Sequence, residues 1–354
     1  METLHPPLAA ASGPGDLSVR TAASKPRGNP SSYCRTVPKG GVRAVDLLLT
    51  TLVFGVVQGA VFALLGAGVV AVYRGTGIIN FAHGAMAMLA TYVFATLLDH
   101  HLPSIGGIPA LALLVAVLVG IALGVVIDLL VMRPLARQSY LVRIIATLGI
   151  VYVLQSAALI VFNGAVTRPV GSLFPTGSHR VGSIFIGNDE IGIVVVTLAL
   201  AVAMSLFYAR TRFGIAIRAV SNNRDAATLV GIHVTWVTAA SWAMGGATGA
   251  IAGILLAPSL GLNSYILTLV VIQALAAALT GRLESLALAL AGGVALGVIT
   301  ELAKTYLQQL AAAHPMTWIN LSNFGDGIAF LWIIGLLLFW RRTPGTQQSG
   351  SLLL

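Results

Sequence analysis

The sequence predicts an all-α polytopic membrane protein with about eight or nine transmembrane helices. Three observations predict it. Of the 354 residues, 57% are hydrophobic and only 9% are charged, against about 25% charged in an ordinary soluble domain. Mean hydropathy is +0.92. Apolar runs of about twenty residues, the length that crosses ~30 Å of hydrocarbon, recur from residue 45 onward. The 20 Lys and Arg and 11 Asp and Glu are too few to cover a water-facing surface of this size, which excludes soluble enzymes.

In chain order, residues 1–44 come first, rich in Pro, Gly, Ser and Ala and without apolar periodicity. They read as a disordered tail and hold no signal-peptide core; a stretch upstream of the natural start is the other reading. Residues 45–342 form the transmembrane domain, and 343–354 a short cytoplasmic tail. The predicted spans are 48–72, 77–98, 108–132, 141–163, 190–209, 236–257, 265–280, 286–308 and 325–340. Arg74, Gly75 and Gly77 leave the first pair open between two crossings and a re-entrant turn.

Arginine and lysine orient the chain, because basic residues collect on the cytoplasmic side. Eleven of the 14 basic residues beyond position 44 fall on one side of the nine spans. They are Arg74, assigned to this side, and those around Arg133, Arg137 and Arg143, around Arg210, Arg212, Arg218 and Arg224, at Arg282 and at Arg341 and Arg342. Nine spans with a cytoplasmic C-terminus put the N-terminus outside, against which the six basic residues of the tail stand.

Many of the 39 glycines lie inside spans at four-residue spacing: Gly245, Gly249 and Gly253, and the pairs Gly55/Gly59, Gly120/Gly124 and Gly293/Gly297. Such smooth faces let helices approach closely in lipid, either within the chain or toward a second permease subunit. Gly59–Gly66 and Gly249–Leu256 are similar and five spans apart, which predicts an inverted repeat.

The net charge of +9 is that of orienting linkers, so no nucleic-acid partner is implied. Cys34 is the single cysteine; it can form no intrachain disulfide and no cysteine metal site. No cofactor is expected. A P-loop needs Gly-Lys-Ser/Thr, and Lys25, Lys39 and Lys304 follow Ser, Pro and Ala.

The linker 211–232 is too long for a turn. Asn223 can cap a helix with Asp225 in its first turn. Ala226, Ala227, Leu229 and Val230 propagate it, and Gly231 suits the left-handed position after its end. The reading is a two-turn helix over 224–231, either an ordinary interfacial helix or a knob for a soluble partner.

Here the chain resembles a family. Tyr73–Gly84, with Ile79-Asn80-Phe81-Ala82-His83-Gly84, is similar to the signature of branched-chain amino acid ABC transporter permeases of the H-type subunit. Asp128–Arg137 looks like that family's acidic residue and Arg-Pro-Leu segment, and Arg218–Ile232 looks like its ATPase-coupling loop. The resemblance runs over about 45–342. It implies a cell-membrane permease that is not an enzyme, with separate ATP-binding subunits, a second permease subunit, an external solute-binding protein and a branched-chain amino acid substrate. It departs at Asp225, where the family usually has Glu, and at Gly281–Ser285, which replaces a glycine-rich turn. That second departure keeps amide or urea-type solutes open.

Asn80 and His83 share a helix face, either beside the translocation path or as a cap and first-turn residue. Arg224, Asp225, Ala226, Ala227 and Gly231 are the candidate ATPase-coupling residues. Glu301 and Lys304 read as a neutralising pair, Asp128 as a local partner of Arg133 and Arg137, and Gln155 and Gln273 as amides bridging helices. A self-sufficient secondary transporter would need several intramembrane carboxylates or histidines for ion coupling, and a membrane enzyme a convergent catalytic set. The sequence offers few of the former and no visible set of the latter.

Overall fold

The computed structural model describes residues 44–99, 324–341 and 109–313, the last range without 165, 172, 176, 182 and 183. The expected tail, residues 1–43, and the C-terminal segment 343–354 lie outside the described residues. Among those described, twelve α-helices and one two-stranded hairpin follow in chain order.

Six segments are long and apolar enough to cross a membrane. They contain α1 (Ala44–Thr76), α3 (Pro109–Ile127), α4 (Tyr140–Phe162), α5 (Asn188–Arg210), α8 (Val234–Leu260) and α11 (Leu286–Ala313). The other three predicted spans are shorter helices. α2 (His83–Asp99) starts only after an extended segment, α12 covers Phe324–Arg341, and 265–280 is not one helix but two, α9 (Ser264–Leu269) and α10 (Val271–Thr280). Eight or nine predicted full-length spans thus become six, plus shorter apolar helices. At the α9–α10 joint the Gln273 amide, oriented by its hydrogen bonds, donates to the carbonyls of Leu269 (3.1 Å) and Val270 (3.2 Å). It links the two short helices across their joint.

Two elements carried no signal in hydropathy. β1 (Ser178–Val181) and β2 (Ile184–Gly187) pair antiparallel before α5. The linker 211–232 holds two helices, α6 (Arg212–Asn222) and α7 (Arg224–Leu229). α6 buries Gly214, Ile217 and Val220, one residue per turn, and the Arg218 guanidinium donates to the Tyr208 carbonyl at 2.7 Å.

α1 and α8 are the central pair and run antiparallel: a methyl on Gly68 would meet Thr248, and one on Gly75 would meet Ser241. Each also packs on the other's neighbours, α1 against α10 and α11, α8 against α2 and α3. The glycine faces make these contacts within the chain. A Cβ on Gly297 would fall on the Gly59 backbone, and one on Gly246 on the Gly120 backbone. Both central helices end on a glycine with positive φ, Gly77 (+71°) and Gly261 (+76°). An asparagine follows each: Asn80 accepts the Ala82 N–H in an Asx turn ahead of α2, and Asn263 caps α9, accepting from the N–H groups of Tyr265 and Ile266.

The turn between α10 and α11 holds Arg282 (φ 53°) and Leu283 (φ 59°) in the left-handed region. That conformation costs a non-glycine residue about 1–3 kcal/mol. Leu283 is buried, and Arg282 lies 5.3 Å over the Trp340 ring; these contacts hold the two residues there.

Candidate functional site

Asn80 and His83 stand where α1 stops and α2 begins. Gly77 turns the chain, and the segment to Ala82 stays non-helical. The Asn80 carboxamide oxygen accepts the Ala82 N–H at 2.9 Å, and its nitrogen points to the Met86 sulfur at 3.7 Å. The His83 ring enters a slot between α1 and α8 lined by Gly68, Gly245 and Gly249; a Cβ on Gly249 would meet it at 3.4 Å. Asn80 and His83 are both fully buried, and neither ring nitrogen of His83 has a hydrogen-bond partner. The structure therefore encloses the two candidate path residues in the α1–α2–α8 seam. Asn80 closes a turn ahead of α2 there, and His83 fills space that the glycines leave.

The arginine-rich end carries the second candidate site. Asn223 caps α7, accepting from the N–H groups of Asp225 (3.1 Å) and Ala226 (3.0 Å). The helix closes with a paired bond, Gly231 N–H to Thr228 O and Ile232 N–H to Ala227 O, both 3.0 Å. That double bond pattern requires a left-handed residue after the helix, and Gly231 supplies φ +84°. The helix proper ends at Leu229, shorter than the expected 224–231. Ala226 is exposed, as are Arg224 and Asp225. Ala227 is not: it is buried among Tyr208, Ile217, Val220 and Val237 from α5, α6 and α8. It does not project toward a partner but anchors the helix. Leu229 (88% exposed) and Val230 (76%) form the projecting apolar tip. Sequence reasoning took both for ordinary helix formers; two large aliphatic residues just before a C-terminal glycine were the available signal.

Beside α7 lies an arginine cluster. α3 ends in a π-turn, Asp128–Met132, which swings the buried Asp128 carboxylate toward Arg133 at 3.1 Å. Thr238 donates to the same oxygen at 3.5 Å, and Arg133 also donates to the Thr235 carbonyl at 3.2 Å. Arg133 is thus the ion partner, and Arg137 is not. Asp128, Arg133, Arg143, Arg224 and Trp242 line a cavity of about 120 Å³.

At the opposite end, Gln58 borders two cavities. One of about 390 Å³ also touches Phe54, Phe174, Glu190 and Glu301; the other, about 350 Å³, touches Phe62, Gln273 and Lys304. Glu301 and Lys304 pair at 3.8 Å. One Glu190 carboxylate oxygen is buried without a hydrogen-bond partner. Neither Gln58 nor Glu190 stood out in the sequence: Gln58 is one amide inside an apolar run, and Glu190 ends the polar Asn188-Asp189-Glu190 start of another.

Residues 51–343 match the family model described as branched-chain amino acid transport system / permease component. The high-affinity branched-chain amino acid transport system permease protein LivH of Salmonella typhimurium is 31% identical over 262 residues, 72% of this chain and 85% of that protein. The corresponding permease BraD of Pseudomonas aeruginosa is 30% identical over 258 residues, 71% and 84% of the two chains. Among solved structures, PsaBC from Streptococcus pneumoniae in complex with Fab aligns with a TM-score of 0.46 at 14% identity. The alignment covers 86% of this chain and 94% of that one.

Proposed function

Because the chain belongs to the branched-chain amino acid transport system permease family, we propose that it forms part of the translocation path of an ATP-driven importer for branched-chain amino acids. Energy reaches it from separate ATP-binding subunits through α7, with the arginine-rich end in the cytoplasm. A second permease subunit and an external solute-binding protein complete the assembly.

The observation that carries this reading is the build of α7. A six-residue helix is far below the ~12–15 residues at which helices persist in isolation, yet this one is capped at both ends and pinned at Ala227. Its apolar tip, Leu229 and Val230, projects from the body. A force on that tip passes through Ala227 into the ends of α5 and α8. This is the arrangement expected of a transmission element, and an ordinary interfacial helix does not need it.

Three further points belong to the same reading. The shorter helices α2, α9–α10 and α12 also cross, giving nine crossings and an external N-terminus. The α1–α3 and α8–α11 segments are an inverted repeat. Supporting it are the antiparallel α1–α8 pair, the exchanged neighbours and the matched glycine turns, each followed by an asparagine. Those turns set a register different from the short Gly59/Gly249 similarity. Asn80 and His83 reach the path when the α1–α2–α8 seam opens, the non-helical Gly77–Ala82 segment acting as its joint.

Co-expression with candidate ATP-binding subunits, followed by co-purification and ATP-dependent leucine uptake in vesicles, tests the reading. Uptake by the chain alone would make it a secondary transporter. ATP-dependent uptake of urea or amides without leucine would remove the branched-chain assignment.

A further inference from the structure

The cavity under the arginine cluster is rich in unmet donors. Asp128 pairs with Arg133, and Asp128 and Asp225 also act on Arg224, so Arg133, Arg143 and Arg224 face two carboxylates and leave a surplus of one positive charge around this space. The Arg143 Nε is buried with no acceptor, and so is the indole N–H of Trp242, whose side chain is fully enclosed. Thr76, Thr235 and Thr238 complete the polar lining. Partial desolvation, and next the charge of Arg143, push the Arg224 guanidinium below its ordinary range. The two guanidiniums therefore stand in each other's field.

Water entering such a cavity would leave its charge uncompensated. An oxyanion compensates it, and arginine forks match the geometry of phosphate oxygens. The volume, about 120 Å³, suits a single tetrahedral group and not a nucleotide.

We infer that this cavity binds a phosphate-class oxyanion, supplied either by an anionic phospholipid headgroup or by free phosphate. Arg143 and Arg224 are its charged ligands. The anion would tie α4, through Arg143, to α7, through Arg224, and so fix the stance of the projecting tip. Binding itself does not depend on the transport reading.

The test uses the full-length chain in neutral detergent. It is titrated with inorganic phosphate against chloride of equal ionic strength, and with phosphatidylglycerol against phosphatidylcholine. The melting midpoint and indole fluorescence are followed. Phosphate or phosphatidylglycerol should raise the midpoint where chloride and phosphatidylcholine do not. Arg143→Gln should weaken that response about tenfold or more, the loss expected for one charge-assisted contact, and Arg143→Lys should keep part of it. A response to phosphatidylglycerol alone assigns the headgroup; a response to inorganic phosphate as well assigns the free oxyanion. If Arg143→Gln does not fold, the exposed Arg224→Gln is read in its place. Silence toward every phosphate species overturns the inference, as does a response unchanged in the arginine variant.

Discussion

Replacing Gly231 isolates the contribution of backbone geometry to α7. An added Cβ there meets nothing within 4 Å, so a larger residue creates no clash and the cost is conformational. At φ +84° an L-residue pays roughly 1–2 kcal/mol, and a β-branched one stands at the upper end. If the chain relaxes, it loses the two closing hydrogen bonds, each worth about 1 kcal/mol net. Either way about 1–2 kcal/mol is set against the closed form of a six-residue helix, a factor of roughly 5–30 in its population. The affinity of the ATP-binding subunits for the reconstituted permease should fall by that factor in Gly231→Val. Gly231→Ala should lose somewhat less. Gly231→Asn, which tolerates the left-handed region, should stay near the parent. Leucine uptake should follow the same order, with normal amounts of inserted protein. Equal affinity across all three variants would refute the idea that the left-handed closure positions the tip.

The tip itself is tested by Leu229→Asp and Val230→Asp. Both positions are exposed, so stability should change by less than about 0.5 kcal/mol while capture of the ATP-binding subunits is lost; retained capture would move the docking contact elsewhere. Asn80→Ala removes a buried hydrogen bond worth about 1 kcal/mol net, and with His83→Ala it should slow uptake while the ATP-binding subunits still associate. Unaltered uptake in both variants would take the seam out of the path. Nine crossings place residue 44 outside, so an impermeant thiol reagent should label Cys34 in intact cells, and a chain starting at Val42 should still insert and transport. Protection of Cys34 until the membrane is broken would contradict that topology.

Hydropathy made most of the architecture legible, because a run such as Leu111–Val126 has no stable place but lipid or a protein core. The cap at Asn223 and the stop at Gly231 were equally readable, since local backbone chemistry fixes both. What escaped depends on tertiary neighbours. The break between Leu269 and Val271 has neither Gly nor Pro to mark it. Ala227 and Ala226 are the same residue type, and only the packing of α6 and Tyr208 buries one of them. Arg143 and Arg224 are 81 positions apart in the sequence; nothing along the chain says that they share a cavity. The hairpin at 178–187 lies between spans, where hydropathy carries little information about strands.

The seams at Gly59–Gly297 and Gly120–Gly246 limit how this chain can vary. Where side chains interlock, an enlargement on one helix can be answered by a reduction on its neighbour, and the pair drifts together over time. Here both partners are already glycine, and neither has anything left to give up. A single step to alanine at either position pushes two backbones apart, and no second step across the seam restores the fit. These positions form a mutational dead end: compensation would have to come from moving an entire helix. Variation in the family's substrate range and partner choice is then free to accumulate elsewhere, in the cavity linings and in the exposed faces of α4 and α7.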